Sequence, residues 1–584
     1  MAIRVDAPGG VRRQAAKRRL GRLPASSVTL LAMFACGRNP AEVAPGPPPT
    51  LAGPTQFSLA VRVEGDGRGT VVGGPIQCGS RCGAQVSSGA SFVLEAQPAE
   101  GSMIGGWSVA GCAGAQCSFA VDRDLTIRVQ FALKPRPPPP LGGGDWGQYR
   151  HDQRGGSVNF ATFAASEAAN LIPLWKLDLG DQGASYVYTQ AMITADLVIF
   201  TTAASGKVVA VDANTGSVRW TRPLNSPIET NCGGSKKPGL WAAAAVVGEV
   251  VYVASPDGHL YALRKTDGST IWAAPVADPT AAGHGEFIQS SPAVSTALGR
   301  LYVGVASSAH CDPVAGRVAA VDLASGAVQQ MALLGPGQRG TSVWSSIAVA
   351  EDEDRLYVTT GNRVGPLEAT PHSQAFLAVD PHSLAVLDHW QNPTPLENSD
   401  FGSSPALGEA AGLKLVAATN KDGWLYVLRR DALSAGPVWK YQMAVIDPAQ
   451  PTVGGDPTGG WGSISTPAFA NGRLYAAGGR TPQGEPGSVI AFDPANGAQL
   501  WKHATPGYVL APLALAGEII VVESSAPDGS SSTMEVLDAA SGAALRSFPG
   551  AVATYGAPSI GHGLIVWSDA YGHATAFAAQ NYRR

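Results

Sequence analysis

The length, composition and charge of this chain exclude several classes of protein. The chain has 584 residues, of which 15% are charged and 71 are glycine, and its formal net charge is −4. Such a length predicts several domains, and such a composition is typical of compact, turn-rich β proteins. No long basic run occurs outside the N-terminus, so we do not expect nucleic acid as a partner.

Residues 1–36 have the layout of a secretory signal peptide. A basic stretch at 12–22 precedes a mostly apolar segment at 25–35, which is too short to span a bilayer. The Met-Phe-Ala-Cys run that ends at Cys36 resembles a bacterial lipobox, although its first two residues depart from the usual pattern. This predicts an exported protein that touches the membrane only through a lipid on Cys36, and Gly37 resembles the outer-membrane sorting signal of enterobacteria. The alternative is a plain signal peptide with a chance cysteine, which would leave a periplasmic or extracellular protein.

Two proline-rich tracts, at 37–54 and 134–144, flank a module at 55–133. Such tracts act as semi-rigid spacers, and the alternation of apolar residues between them indicates β-strands. The module resembles the extracellular β-repeat family related to internalin B-repeats, through Gly-Arg-Gly-Thr-Val at 67–71 and Gly-Ser-Met-Ile-Gly-Gly-Trp at 101–107. The resemblance implies a surface-exposed β domain without indicating a particular ligand.

The module contains four cysteines in two close pairs. Both spacings suit short loops, so we expect local disulfides, Cys78 with Cys82 and Cys112 with Cys117. Export permits such bonds, and they stabilise small domains. A zinc site is the alternative, although the exported context and the lack of histidine in the module favour disulfides.

From residue 145 onward a short phrase recurs. It combines apolar alternation, an Asp-x-x-x-Gly turn and a strand that often closes on tryptophan, as at 208–220, 260–272 and 489–501. Each copy predicts four short strands joined by turns, which is the structure of one propeller blade. The turn glycine, or its substitute, falls at positions 216, 268, 326, 384, 436, 497 and 542.

The array is expected to close as a ring. Seven complete units are visible, an eighth at 555–578 lacks its last strand, and a lone strand with Trp175 stands upstream at 171–179. Eight blades over 145–580, closed by that strand, leave no open sheet edge, so we expect eight rather than seven. The departures from the phrase are Arg264 for Asp, Leu384 for Gly, and Gln330 and Arg546 for Trp.

Several motifs of the array resemble the pyrroloquinoline-quinone-like (PQQ-like) propeller family, the superfamily of quinoprotein alcohol dehydrogenases. Asp-Trp-Gly-Gln-Tyr-Arg-His-Asp at 145–152 resembles its opening, and the segments 342–362 and 400–428 resemble its middle blades, nearest to the polyvinyl-alcohol dehydrogenase branch. The resemblance implies an all-β fold, namely an eight-bladed PQQ-like β-propeller preceded by the small disulfide-stapled β domain. It also implies PQQ and calcium as candidate cofactors.

The predicted connections are unequal in length. Long segments fall between the second and third strands of a blade and between consecutive blades, and both classes emerge on the same face of a propeller. They are 306–317, 361–374, 479–487, 523–533, 223–239, 275–286 and 444–460. We expect this long-loop face to carry the function, with tolerated insertion as the alternative. Cys232 and Cys311 fall in two of these segments, where they are either a disulfide or two free buried thiols.

The resemblance also points to individual residues. Calcium-dependent quinoproteins use a Gly-Asn segment in a middle blade as a calcium ligand, which makes Asn362 the cofactor-site candidate here. Those enzymes carry an Asp base downstream, where this chain has Gln374, a residue that cannot accept the substrate proton. Glu368 is either a displaced acid or a solvated loop residue.

Other polar residues of the long segments are weaker candidates for metal or cation ligands. None of three histidines has metal-like spacing, so we interpret them as surface or turn residues: His284, His310 and His372. A polar loop near Trp461 contains Asp447 and Asp456 and offers a cation site of no specific spacing.

Two functions of different classes follow. The leading hypothesis is an exported lipoprotein that acts as a binding or scaffold platform of the cell envelope, with a protein, peptide or glycan on the long-loop face. The alternative is a PQQ-dependent dehydrogenase that oxidises an alcohol or sugar. Surface adhesion through the small module is a third hypothesis.

Overall fold

The computed structural model describes most of the chain between residues 56 and 580. The described ranges are 56–65, 67–99, 102–112, 114–133, 144–159, 163–179, 189–224, 239–280, 285–307, 314–551 and 556–580. In these ranges the structure is nearly all β, with two sheets in the N-terminal module and eight in the propeller. The helical elements in them are α1 (Ala165–Ala168) and four 3-10 turns, Glu351–Glu353, Leu367–Ala369, Leu433–Ala435 and Pro457–Gly459.

The N-terminal module consists of two four-stranded sheets. Its strands are β1 (Gln56–Glu64), β2 (Gly69–Gly73), β3 (Ile76–Cys78), β4 (Gly83–Ser87), β5 (Ser91–Pro98), β6 (Ser102–Trp107), β7 (Gln116–Ala120) and β8 (Leu125–Leu133). The orders are β4-β1-β8-β6 and β3-β2-β5-β7, and β1 runs parallel to β8 while the other neighbours are antiparallel. Apolar residues of alternate positions, among them Leu59, Leu94 and Ile127, are completely buried in its core.

The four cysteines of the module form two disulfides. Cys78 is bonded to Cys82, and Cys112 is bonded to Cys117. The expected local pairing is therefore confirmed, and the zinc alternative is wrong because all four sulfurs are used in these bonds. Each bond closes a short loop beside a core too small to be stable by burial alone.

Each propeller blade has four strands, which follow chain order from the axis outward in blades 1 to 7, whereas the outermost strand of blade 8 comes from upstream of blade 1. The first four blades are: blade 1, β11 (Met192–Ile193), β12 (Leu197–Thr201), β13 (Lys207–Asp212) and β14 (Val218–Pro223); blade 2, β15 (Ala245–Val247), β16 (Val250–Ala254), β17 (His259–Arg264) and β18 (Thr270–Pro275); blade 3, β20 (Ala293–Ser295), β21 (Arg300–Ser307), β22 (Arg317–Asp322) and β23 (Val328–Ala332), with β19 (Glu286–Phe287) also on β21; blade 4, β24 (Ala348–Ala350), β25 (Arg355–Thr359), β26 (Ala375–Val379) and β27 (Val386–Gln391).

The other four blades follow the same plan. They are: blade 5, β28 (Ala406–Ala410), β29 (Leu413–Thr419), β30 (Trp424–Arg429) and β31 (Pro437–Gln442); blade 6, β32 (Ala468–Ala470), β33 (Arg473–Gly478), β34 (Gly487–Phe492) and β35 (Gln499–Thr505); blade 7, β36 (Ala514–Ala516), β37 (Ile519–Ser525), β38 (Ser532–Asp538) and β39 (Ala544–Gly550); blade 8, β40 (Ser559–Gly561), β41 (Leu564–Ser568), β42 (His573–Ala579) and β10 (Leu171–Asp178). Burial falls from the innermost to the outermost strand, because only the inner strands are covered on both faces.

Blade 8 closes the ring with strands from both ends of the propeller sequence. Strand β10 pairs antiparallel with β42, from Leu171 opposite Ala579 to Asp178 opposite His573. Without β10 the outer edge of β42 would present unpaired backbone groups to solvent. The prediction of eight blades, closed by the strand that carries Trp175, is confirmed.

Outer-strand tryptophans dock onto the turn glycine of the following blade. A Cβ atom on Gly268 would lie 2.7 Å from Cε3 of Trp220, and the indole nitrogen of Trp220 donates a hydrogen bond to the carbonyl of Lys265 at 2.8 Å. Gly268 also has φ +70°, a conformation that L side chains rarely adopt. The recurrent phrase therefore marks joints between blades. The pairs are Trp175–Gly216, Trp220–Gly268, Trp272–Gly326, Trp390–Gly436, Trp439–Gly497 and Trp501–Gly542.

Three of the four departures from the phrase, Gln330, Leu384 and Arg546, occur where this joint is altered, whereas Arg264 lies in the intact joint of Trp220 with Gly268. Blade 3 has Gln330 in place of Trp, and the turn it faces in blade 4 has Leu384 in place of Gly. Leu384 keeps a positive φ of 63° and is completely buried, so its side chain occupies space that an indole takes elsewhere. Arg546 stands in the outer strand of blade 7, where a tryptophan would contact the turn between the third and fourth strands of blade 8. Blade 8 has no such turn, because its outer strand β10 comes from upstream of blade 1.

Residues 144–159 cross the centre of the ring at the ends of the inner strands. Trp146 exchanges backbone hydrogen bonds with Ile193 of blade 1, and Gln148 bonds Val294 of blade 3 through its side-chain amide. The segment, which includes the parallel strand β9 (Val158–Asn159), bonds every blade in this way. Its partners in blade order are Ile193, Val246, Val294, Val349, Pro405, Thr466, Leu515 and Ile560.

Candidate functional site

The two faces of the propeller differ as the sequence predicts. On one face, here called the plain face, short turns join the first to the second strand and the third to the fourth strand. The other, long-loop face carries the connections 360–374 in blade 4, 479–486 in blade 6 and 526–531 in blade 7. The last of these is shorter than predicted, because β37 and β38 extend into the region that the sequence analysis assigned to a loop.

A cavity of about 220 Å³ lies on the long-loop face at blade 4. One wall comes from the connection between β25 and β26, and the other comes from the connection between blades 4 and 5. Polar side chains dominate these walls, so the cavity suits a polar ligand. The lining residues are Asn362, Arg363, Gln374, Leu396, Glu397 and Asn398.

Gln374 is the most constrained residue of the cavity. It is 1% exposed and has φ +50°, an unusual backbone conformation for a non-glycine residue that is found at functional sites when the surroundings impose it. Its Nε2 donates hydrogen bonds to the carbonyl of Leu396 and to Oγ of Ser399, both at 3.0 Å. Its Oε1 is buried and accepts no hydrogen bond from the described residues. An unpaired buried acceptor costs about 1–3 kcal/mol, and because Oε1 has almost no exposed surface, it is covered by protein atoms rather than open to the cavity.

Asn362 and Arg363 lie in the same connection as Gln374 and line the same cavity. Nδ2 of Asn362 donates to Oδ1 of Asn398 at 2.8 Å, which ties the two walls together. Nη1 of Arg363 donates to the carbonyl of Gly365 at 2.8 Å, while its Nε is buried and has no hydrogen-bond acceptor among the described residues. Both unpaired atoms, Oε1 of Gln374 and Nε of Arg363, are buried and therefore do not face the open part of the cavity.

A second polar cluster lies directly beside the cavity wall. The indole of Trp344 donates to Oδ2 of Asp400 at 2.7 Å, and Nζ of Lys421 lies 2.6 Å from Oδ1 of the same carboxylate and 5.3 Å from the indole ring centroid. Asp400 is only 5% exposed. Because this carboxylate is held by a cation and an indole N–H, it acts as a structural anchor of the 392–405 connection, next to Ser399 of the cavity.

Asp422 is a titratable residue that hydrogen bonds link to the cavity. Burial raises the pKa of its carboxyl to about 6, although Tyr426 donates a hydrogen bond to it at 2.6 Å. Asn392 links Asp422 to the cavity, since its Nδ2 is 3.4 Å from the Asp422 carboxylate and its backbone N–H donates to the carbonyl of Gln374 at 3.1 Å. Ionisation of Asp422 thus occurs two hydrogen bonds away from the cavity.

The structure places the other sequence candidates away from a ligand site. Glu368 is exposed on a 3-10 turn and does not line the cavity. His372 is half-buried, with Nδ1 2.7 Å from the carbonyl of Leu333. Asp447 and Asp456 accept hydrogen bonds from the turns that follow them, which is a structural role. Some candidates lie outside the described residues: Cys36, Cys232, Cys311, His284 and His310.

A family profile described as outer membrane protein assembly factor BamB matches residues 165–385 and 419–581, more than half of the chain. The chain belongs to this family. The repeats that the profile matches are those that build blades 1 to 8, so the PQQ-like resemblance seen in the sequence is confirmed.

Curated relatives are quinoproteins, and the chain matches less than half of their length. The quinohemoprotein alcohol dehydrogenase ADH IIB of Pseudomonas putida is 25% identical over 49% of this chain and 46% of its own. The quinoprotein ethanol dehydrogenase of Pseudomonas aeruginosa is 30% identical over 20% of this chain and 18% of its own. The similarity is therefore partial and does not transfer an activity.

Solved structures of the same fold include two alcohol-oxidising dehydrogenases. The quinohemoprotein alcohol dehydrogenase of Comamonas testosteroni superposes with a TM-score of 0.57 at 17% identity, covering 75% of this chain and 81% of that one. A europium-containing methanol dehydrogenase gives a TM-score of 0.58 at 14% identity, covering 74% and 98%. At such identities the likeness establishes the propeller fold and leaves the chemistry to the residues of the site.

PQQ and calcium fit the residues of the cavity poorly. Calcium takes about six to eight oxygen ligands, usually with several carboxylates, whereas the cavity offers one carboxylate, on the exposed Glu397, and places the cation Arg363 beside it. Within the described ranges no group of three or more His, Cys, Asp or Glu residues is placed to hold a metal ion. Gln374 is a neutral amide and cannot serve as a general base. We therefore derive no reaction step through these groups.

Residues of one cavity wall are predicted from the sequence, and those of the other wall are not. Asn362 and Gln374 were candidates through the family resemblance, and both line the cavity. Arg363 follows Asn362 directly and could have been named with it. Leu396, Glu397 and Asn398 belong to 392–405, which was not predicted as a long connection, although its prolines, asparagines and serines are typical of a loop.

Proposed function

We propose that this protein is a binding platform of the cell envelope that holds a polar ligand on its long-loop face without oxidising it. The observation that carries this proposal is Gln374, a buried neutral amide that lines the cavity at the position where the family resemblance implies a catalytic Asp. A neutral amide can bind and orient a ligand, but it cannot remove a proton from it.

An envelope location is supported by the N-terminal pattern and by the family. The signal-peptide layout of residues 1–36 and the two disulfides of the module suit an oxidising compartment. The matching family profile is described as an outer membrane assembly factor. Among the described residues no helix is long and apolar enough to cross a membrane, and a lipid on Cys36 would supply the attachment.

The point where the chain enters the propeller suits a tethered platform. Asp145 lies 2.6 Å from His562, which belongs to the turn between β40 and β41 on the plain face. The cavity lies on the opposite, long-loop face. A chain attached through its N-terminal side would therefore leave the cavity face accessible to a partner.

The second candidate function is a quinone-dependent dehydrogenase acting on an alcohol or sugar. It is favoured by the partial matches to alcohol and ethanol dehydrogenases and by the cluster of Trp344, Asp400 and Lys421 near the cavity. Such an enzyme needs a base to take the proton of the hydroxyl group, and Gln374 does not supply one.

One assay separates the two functions. The purified full-length protein is incubated with PQQ and Ca²⁺, and bound-quinone absorbance and dye-linked oxidation of alcohols and sugars are measured, with an active quinoprotein ethanol dehydrogenase as the positive control. We expect no turnover above a sample without protein. Stoichiometric quinone binding with turnover would refute the platform proposal and establish the dehydrogenase.

A further inference from the structure

We propose that His372 and His389 form a binding site for a divalent transition-metal ion of the kind that imidazole ligands prefer, with Cu²⁺ bound most tightly. The site lies in blade 4, between the connection that leads to β26 and the outer strand β27. The spacing of the two residues in the sequence does not reveal it, because β26 and the turn after it separate them. The inference goes beyond the proposed function, because the ion would bind whether or not the cavity holds a ligand.

The two imidazole rings are spaced as two ligands of one ion would be. Their centres are 5.0 Å apart, and their planes are inclined at 88° to each other. Metal–nitrogen distances of about 2.0–2.1 Å and a tetrahedral angle place the centres of two coordinating imidazoles about 5 Å apart. Both histidines are partly exposed, so an ion in solution can reach them.

His372 already has one ring nitrogen bound to the protein. Its Nδ1 lies 2.7 Å from the carbonyl oxygen of Leu333. Because a carbonyl only accepts, Nδ1 carries the hydrogen in this contact, and the lone pair of Nε2 in the neutral ring is left for a ligand. A metal-ligating histidine usually donates its other ring N–H to a carbonyl or a carboxylate in the same way. Leu333 therefore orients this ring as an outer-shell partner orients a metal ligand.

The backbone around the pair is also held in place. Gln391 follows His389 by two residues in β27, and its Nε2 donates to the carbonyl of Ser373 at 3.1 Å. Oγ1 of Thr360 donates to the carbonyl of His372 at 2.5 Å. Ligands that are already ordered lose little conformational freedom on binding, which favours affinity. An ion bound to both rings would add a further link between β27 and the connection that lines the cavity.

Ligand type and charge select the class of ion. Imidazole suits Cu²⁺, Ni²⁺ and Zn²⁺, whereas Mg²⁺ and Ca²⁺ prefer oxygen, and Cu²⁺ binds most tightly in the usual order of these ions. The carboxylate of Asp388 accepts the backbone N–H of His389 at 2.8 Å and places a negative charge beside the pair, which favours a cation. Among the described residues no third His, Cys, Asp or Glu completes a metal-binding group. Water, or a donor atom of a partner, would fill the remaining positions.

The test uses the full-length protein without a polyhistidine tag, at about pH 7.5, where an ordinary histidine is neutral. Isothermal titration with Cu²⁺, Zn²⁺ and Mg²⁺ measures affinity, and electron paramagnetic resonance of the Cu²⁺ complex reports nitrogen ligation. We expect one Cu²⁺ per chain, weaker binding of Zn²⁺ and no binding of Mg²⁺. His372→Gln and His389→Gln should each bind Cu²⁺ at least about tenfold more weakly, since even the loss of an outer-shell partner costs about 10–100-fold in affinity.

His382→Gln is the matched control. His382 is an exposed histidine of the same blade and also lies beside a carboxylate, at 3.0 Å from Oδ1 of Asp354. It is far from the proposed site in the fold, because it belongs to the plain-face turn between β26 and β27. We expect this variant to bind Cu²⁺ as the wild type does.

Each result bears on the inference. No saturable binding, equal Cu²⁺ affinity in the wild type and both variants, or a loss in only one variant would leave a packing contact between two rings and overturn the shared site. If a variant does not fold, protection of both histidines by Cu²⁺ from diethyl pyrocarbonate, read by mass spectrometry of the wild type, carries the test, and failure to protect both would overturn the site. The PQQ assay above is independent of these measurements, so failure of the metal site and failure of the platform proposal are separate outcomes.

Discussion

The joint between an outer-strand tryptophan and the turn glycine of the next blade can be tested by one pair of substitutions. Gly268 and Gly472 both lie in plain-face turns and share a φ of +70°. A Cβ atom on Gly268 would lie 2.7 Å from Trp220, whereas a Cβ atom on Gly472 would have no atom within 4 Å. The two Gly→Ala changes therefore share the backbone strain and differ only in the contact with the indole.

The expected difference follows from that geometry. Holding alanine in the left-handed region costs about 1 kcal/mol at either site. At Gly268 the indole must also withdraw by about 0.7 Å to reach an ordinary carbon contact, which for an overpacked site costs about 1–3 kcal/mol and threatens the bond from Trp220 to Lys265. We expect Gly268→Ala to destabilise the protein by about 1–3 kcal/mol more than Gly472→Ala.

Thermal and urea unfolding at a fixed scan rate, followed by tryptophan fluorescence, measure this difference. A second comparison isolates its origin: in a Trp220→Ala background, Gly268→Ala should add only the backbone strain, as a double-mutant cycle would show. Equal destabilisation by Gly268→Ala and Gly472→Ala, or an unchanged cost of Gly268→Ala without the indole, would refute the docking account.

Three further predictions concern single residues. Leu384→Gly should lower the free energy of unfolding by about 2–4 kcal/mol, although its φ of 63° suits glycine, because a cavity would replace the buried side chain; a stabilised variant in urea unfolding would contradict this. Lys421→Met should cost about 3 kcal/mol by leaving the Asp400 carboxylate without its cation, and adding Asp400→Asn should recover part of that loss. The pKa of Asp422, raised to about 6 from 3.8, makes its contribution to stability fully present below pH 4 and lost as the pH rises through 6. Asp422→Asn should therefore gain about 2–4 kcal/mol relative to the wild type between pH 4 and pH 7, and a difference in unfolding midpoint that does not change with pH would disprove the raised pKa.

Local pattern predicts most of the fold because each blade is built from contacts between neighbouring strands. The turn from Asp212 to Gly216 and the strand that contains Trp220 lie within one hairpin, so both can be recognised in the sequence. The docking partner of Trp220 lies in the next blade, and Leu384 replaces Gly in the blade that follows the one in which Gln330 replaces Trp. Such pairings join separate repeats, and no local pattern reveals them.

The candidate site was only partly predictable for the same reason. Asn362 and Gln374 stand at positions that the family resemblance marks, and the cavity confirms that they are neighbours. The hydrogen bonds that fix Gln374 come from Leu396 and Ser399, about twenty residues later in an irregular connection. The orientation of the amide is a property of that tertiary contact.

The closure of blade 8 has a consequence for the way in which the protein is made. Strand β10 must wait for β42, which is synthesised about 400 residues later. At about 5–20 residues per second, a ribosome needs roughly 20–80 seconds to cover that distance. Throughout this interval the nascent chain carries unpaired strand edges and an unfilled ring, a state prone to aggregation. We therefore expect this protein to depend on a holding chaperone until its last strand has been released.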